Sequence, residues 1–208
     1  MRGNTDRGLK SRATTSGARS LAAAILVIAA ALPPVAAATV TVESERDGAG
    51  VNIRASAVLH ADVPTAWRVL TDYDRYVDFI PDLRVSRVVA RRGSTVTVEQ
   101  SGDAVWLFTW PLDITFEIEE SPPSRLQSRA VAGSLRVLVS SYSLTPLNSG
   151  ARLEYSGHVE AGFPLFGQIE RRAAERNVAR QFRALVDEID RQGTNGHPQP
   201  VESDKSER

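Results

Sequence analysis

Between residues 105 and 119 every second residue is apolar. Trp106, Phe108, Trp110, Leu112, Ile114, Phe116 and Ile118 share one parity, and Asp113, Glu117 and Glu119 share the other. Successive side chains of a β-strand point to opposite faces, so the pattern predicts a strand with one continuous apolar wall and one wet face. Fully extended, the run from Trp106 to Ile118 would span roughly 43 Å, longer than most strands. Pro111 cannot donate to a ladder, and it predicts a bulge or bend here that curls the sheet.

The flanking sequence predicts more strands and then one long helix. Val51, Ile53, Ala55, Ala57 and Leu59 alternate with polar residues, as in a half-buried strand. Pro64 opens a short helix carrying Trp67 and Leu70, since proline at the first helical position gives up no needed hydrogen bond. Strands over 83–90 and 95–101 are joined at Arg92-Gly93-Ser94, and turn residues at Ser121-Pro122-Pro123-Ser124, Gly133 and Asn148-Ser149-Gly150 bound strands near 125–132, 135–145 and 151–160. That makes about seven strands. From Pro164 to Arg191 the period changes to a helical one: Val178, Phe182, Leu185 and Ile189 form one stripe, with Arg172, Arg176, Arg180 and Arg183 opposite. Such a helix is about 42 Å long, enough to cross the sheet.

The ends of the chain read differently. Residues 1–38 carry Arg2, Arg7, Lys10, Arg12 and Arg19 against the single acid Asp6, then an apolar run from Leu21 to Leu32 and the small residues Ala36-Ala37-Ala38. This order predicts a signal peptide cleaved after Ala38 and an exported, periplasmic or secreted, product. The apolar run would span only about 18 Å as a helix, short of a bilayer core of roughly 30 Å. Removing this segment turns a neutral chain into one with 20 basic and 24 acidic groups, which speaks against nucleic acid as a partner. The remainder divides into a lead-in (39–50), a folded domain (51–191) and a tail (192–208) without an apolar face, expected to be disordered.

The segment Trp67…Asp72-Tyr73-Asp74-Arg75-Tyr76…Phe79-Ile80-Pro81 resembles a series found in the START-like polyketide cyclase/dehydrase superfamily. Within that superfamily it is most similar to the coenzyme-Q-binding START-domain family. Pro122-Pro123, Tyr142-Ser143-Leu144-Thr145-Pro146 and Arg171-Arg172-Ala173 extend the resemblance over about Val51 to Gln192. It implies an α+β helix-grip (START/Bet v 1-like) fold: a curved antiparallel sheet wrapped around a long C-terminal helix, with two short helices after the first strand. It also implies a pocket between sheet and helix, with a quinone- or lipid-like guest.

The chemistry available is narrow. The chain has no cysteine and three histidines, so thiolate catalysis and thiolate metal sites are excluded. His60 and His158 are expected on the outer face, as neighbours if the first and last strands pair, and His197 lies in the tail. No metal or cofactor is expected. A neutral aromatic wall favours an apolar guest, with Phe79, Trp106, Phe108, Trp110, Phe116, Tyr142, Tyr155, Phe182 and Leu185 as candidate pocket residues and Arg171, beside Glu175, as a candidate headgroup anchor. The loop Gly162-Phe163-Pro164-Leu165-Phe166-Gly167 is a candidate gate or membrane-touching tip. The expected function is binding of a lipid, isoprenoid or quinone. One alternative is cyclase/dehydratase chemistry using Tyr142, Tyr155 or a loop carboxylate from Asp74, Asp78 or Asp82. A second is a protein-interaction module, through the arginine stripe, like ribosome-associated toxin relatives.

Overall fold

The computed structural model describes residues 38–105, 109–161 and 168–196. The chain runs through β1 (Val40–Asp47), β2 (Gly50–Leu59), α1 (Val63–Leu70), a short 3-10 helix (Tyr73–Asp78), β3 (Leu83–Arg92), β4 (Thr95–Val105), β5 (Thr109–Ser121), β6 (Arg125–Gly133), β7 (Leu135–Pro146), β8 (Ala151–Ala161) and α2 (Gln168–Gly196). These strands form one antiparallel sheet in the order β1-β2-β8-β7-β6-β5-β4-β3. This is the expected helix-grip arrangement, with eight strands among the described residues rather than about seven.

The additional strand is β1, inside the segment read as a lead-in. It pairs with β2 from Val40 opposite Ala57 to Asp47 opposite Gly50. Its inward positions are Val40, Val42 and Ser44, all only half-buried. Two valines and a serine are too few to register as an alternating pattern; the pairing with β2 is what makes the segment a strand.

The apolar run at 105–119 is not a single strand. β4 continues to Val105, which pairs with Thr109 at the start of β5. Residues 106–108, including Trp106 and Phe108, connect the two strands and lie outside the described residues. Alternation cannot report a chain reversal when the apolar rhythm carries on through it. Pro111 breaks nothing either. Asp113 exchanges hydrogen bonds with Ser134 on the β6 side, so Pro111, two residues away, turns its missing donor to that same side. There β6 pairs with β5 only from Ile114 onward, and no ladder bond is lost. The irregularity lies instead at Thr115/Phe116, where β6 supplies an extra residue and the ladder shifts.

Two carboxylates place the helices. Asp62 caps α1 by accepting from the Thr65 N–H at 2.9 Å. Asp190, near the end of α2, accepts from the backbone N–H of His60 at 2.8 Å and of Ala61 at 3.1 Å. It thereby ties α2 to the segment between β2 and α1. The helix runs to Gly196, past the expected stop at Arg191, and residues 197–208 lie outside the described residues. Gly193 explains the extension: it lies so close to Ala61 that an added Cβ would sit 2.7 Å from the Ala61 Cβ. Composition at 192–196 reads as tail because this contact partner is far away in sequence.

The core is built where the C-terminal half of α2 crosses the sheet and α1. Leu59, Leu70, Leu153, Phe182, Val186 and Ile189 are each at most 2 % exposed, and burial of such side chains stabilises by roughly 1.5–3 kcal/mol apiece. The predicted α2 stripe is therefore real from Phe182 to Ile189, while Val178 is only half-buried.

Candidate functional site

One half of the sheet's inner face is sealed and the other is open. Ala57, Val96, Val98, Ile118, Leu126, Leu144 and Leu153 are buried against α1 and the end of α2. Leu112, Ile114, Phe116, Ala130, Leu138, Tyr142 and Tyr155 share the inward parity, yet all remain partly accessible. Residues 173–179 in the first half of α2 are likewise half-buried, apart from the exposed Arg176. Side chains that point at a covering helix and still meet solvent outline a cleft. On its sheet side these residues carry no charge, which suits an apolar guest.

The aromatic signature before β3 packs against the sealed core. Tyr73 is buried, donates its hydroxyl to Glu120 at 3.0 Å and lies under the Arg91 guanidinium. Tyr76 donates to the Leu70 carbonyl at 2.7 Å, and its ring contacts both Tyr73 and Phe79 edge-on. Ser86 donates to the Tyr73 carbonyl at 2.6 Å, and Asp74 accepts from the Val88 N–H at 2.7 Å. The segment is thus stitched to β3, holding Phe79 half-buried against the core.

Two further tyrosines stand side by side on the inner face. Tyr142 on β7 is directly opposite Tyr155 on β8, with ring centroids 4.9 Å apart, and Tyr155 also contacts Phe182 at 6.5 Å. Burial, followed by the neighbouring Tyr155 and Tyr76, holds the Tyr142 phenol well above its ordinary range. Burial pushes Tyr155 up to about 12, against a hydrogen bond with Ser140 that acts in the opposite direction. Both are therefore protonated at neutral pH and available as hydrogen-bond donors rather than bases.

The other expected site residues divide clearly. Phe116 is on the accessible half. Phe182 and Leu185, at 2 % and 3 % exposed, belong to the sealed core and support the cleft from beneath. The Trp110 backbone pairs with Ala104, and its side chain lies outside the described residues, as does all of 162–167. Arg171 is engaged with β1: its guanidinium donates to the Ser44 carbonyl at 3.3 Å and approaches Glu175 at 3.8 Å, while the Ser44 hydroxyl donates to Glu175 at 2.5 Å. The three loop carboxylates each have a partner: Asp74 the Val88 N–H, Asp78 the Arg75 guanidinium at 3.1 Å, and Asp82 the Arg180 guanidinium at 2.5 Å. Sequence reasoning did not single out Ser128 and Ser140, which share the inner face with the tyrosines and with Gly157; cross-strand register lines the three up.

His60 and His158 are not neighbours, because the β2–β8 register puts Asn52 opposite His158 and leaves His60 beyond Leu59 at the other end. His60 pairs with Asp190 at 2.9 Å and His158 with Asn52 at 2.7 Å. Among the described residues no cluster of three potential ligands is arranged to hold a metal ion. A groove of about 500 Å³ does lie on the outer face, lined by Val85, Arg87, Glu99 and Asp113 among others. Its Arg87 and Glu99 neutralise each other at 2.6 Å, and it lacks the aromatic lining of the inner cleft.

An open antiparallel sheet gripping a long helix, with an aromatic cleft between them, defines a START-like domain. The chain belongs to the polyketide cyclase / dehydrase and lipid transport family, which it matches over residues 59–186. Solved structures with the same fold include a STAR-related lipid transfer protein from Xanthomonas axonopodis, 14% identical with a TM-score of 0.63, the match covering 72% of this chain and 93% of that one. The Zhui aromatase/cyclase from Streptomyces sp. R1128 is 14% identical, TM-score 0.58, covering 70% and 94%. A START superfamily protein from Mycobacterium smegmatis is 15% identical, TM-score 0.57, covering 68% and 98%. No curated protein matches the chain.

Proposed function

We propose that this protein is exported and binds a hydrophobic small molecule, a lipid, isoprenoid or quinone, in the cleft between the inner face of the sheet and the first half of α2, without transforming it. The observation that carries this reading is the uncharged inner face from Leu112 to Phe116 and across Tyr142 and Tyr155, which is left accessible beneath a covering helix. Membership of the polyketide cyclase / dehydrase and lipid transport family supports it. Export rests on the N-terminal pattern, and cleavage after Ala38 leaves β1, which starts at Val40, whole. The test is native mass spectrometry of the protein purified from the cell envelope without detergent. A co-purifying quinone or lipid is expected; protein that comes out empty and takes up neither quinones nor fatty acids overturns the reading.

A further inference from the structure

A row of hydroxyls crosses the uncharged inner face at right angles to the strands. Register places Gly157 of β8 opposite Ser140 of β7, and Ser140 opposite Ser128 of β6. The two serine hydroxyls are 2.7 Å apart. Tyr155 reaches this row from its own strand: its hydroxyl lies over Gly157, where any Cβ would collide with it, and Gly157 is the residue opposite Ser140. Glycine at 157 is the space into which the phenol folds. Tyr142 stands beside Tyr155, and its hydroxyl has no hydrogen-bond partner among the described residues. All four hydroxyl-bearing side chains, Ser128, Ser140, Tyr142 and Tyr155, are partly accessible.

This arrangement is specific in its charge. Ser128 and Ser140 satisfy each other across β6 and β7, with the Tyr155 hydroxyl beside them over Gly157, and the Tyr142 hydroxyl has no acceptor among the described residues. That hydroxyl is still open to solvent, so a guest that covers it must replace the hydrogen bond it makes to water. A neutral oxygen meets that need. An anion would not be matched, because the nearby cation, Arg171, is already committed to Ser44 and Glu175, and a charge in an apolar cleft without a counter-ion is expensive.

We propose that this hydroxyl row is the polar subsite of the cleft, and that it selects an uncharged amphiphile whose head presents a carbonyl, ether or hydroxyl oxygen to Tyr142. Carboxylate and phosphate heads are rejected. The proposal rests on the binding reading given above and adds the class of head group to it.

Equilibrium dialysis of the purified full chain against four probes with the same decyl tail tests it: decyl-benzoquinone, decan-1-ol, decanoate and decyl phosphate. The two neutral probes are expected to bind at least about tenfold more tightly than the two anions, the order of one satisfied hydrogen bond or one unpaired charge. Tyr142→Phe and Ser140→Ala are each expected to weaken the quinone by about five- to tenfold and to leave decanoate unmoved, with melting curves showing both variants folded. Decanoate binding as tightly as decan-1-ol overturns the selection while leaving hydrophobic binding intact. A quinone affinity unchanged in both variants overturns the role of the row. If none of the four probes binds the unaltered chain, the binding reading itself falls and the proposal with it.

Discussion

Phe116 and Phe182 are the same residue type on facing layers, and the structure gives them different work. Phe182 is enclosed by the core, so Phe182→Ala leaves a cavity and is expected to cost about 3–5 kcal/mol of stability. Phe116 sits half-buried on the accessible part of the sheet. Phe116→Ala therefore sheds less apolar burial and is expected to cost no more than about half as much, while reducing affinity for an apolar probe. Denaturant melts and probe titrations on the two variants separate these effects. Equal losses of stability would place Phe116 in the core. Both phenylalanines were legible as inward-facing from periodicity. Which of them is sealed was not, because that depends on where along the sheet the end of α2 and α1 come down.

At the scale of elements, α2 is held to the sheet at two ends by polar groups of unlike kinds. Near β1 the contact is the trio of Ser44, Arg171 and Glu175; near β2 it is Asp190 receiving the His60 and Ala61 N–H groups and the His60 ring. A carboxylate accepting two backbone donors makes charge-assisted hydrogen bonds. Asp190→Ala leaves two donors without their acceptor and is expected to destabilise by about 2–3 kcal/mol, with Asp190→Asn losing less because its amide oxygen still accepts. Hydrogen exchange gives a local readout: the His60 and Ala61 amides are expected to lose protection in Asp190→Ala, and unchanged protection there contradicts the clasp. Neither end of this grip was readable from the helix pattern, since each joins residues more than a hundred positions apart.

For the molecule as a whole, every tyrosine is tied to the fold. The sequence contains four. Tyr73, Tyr76 and Tyr142 are held well above their ordinary value, in each case by burial first, and Tyr155 is pushed up to about 12 by burial. In the unfolded chain all four titrate near pH 10. Above about pH 10 the unfolded chain thus holds fewer protons than the folded one, and stability falls as pH rises, by about 1.4 kcal/mol per unit for each phenol that remains protonated in the fold. The contribution is complete below pH 10 and is gone once pH has passed the folded-state value. Phenolate absorbance is expected to stay silent through pH 10 and then to appear together with loss of tertiary structure. Independent titration of a tyrosine near pH 10 in the folded protein contradicts this enclosure.

Local pattern was enough for β2, β3, β6, β7 and β8 to within a few residues and for the short helix opened by Pro64, because side-chain alternation and turn residues are properties of neighbouring positions; the second short helix came from the family resemblance. The sequence alone also marked the inner face as uncharged. Tertiary structure decided that Val40–Asp47 is a strand, that the run at 105–119 changes strands, and that α2 reaches Gly196 by lying on Ala61. It decided as well that Ser128, Ser140, Tyr155 and Gly157 meet in one row. The physical reason is common to all four: each depends on register or close packing between one segment and another, near in the chain for β1–β2 and β4–β5 and distant for the rest, and the period along a single segment does not carry that information.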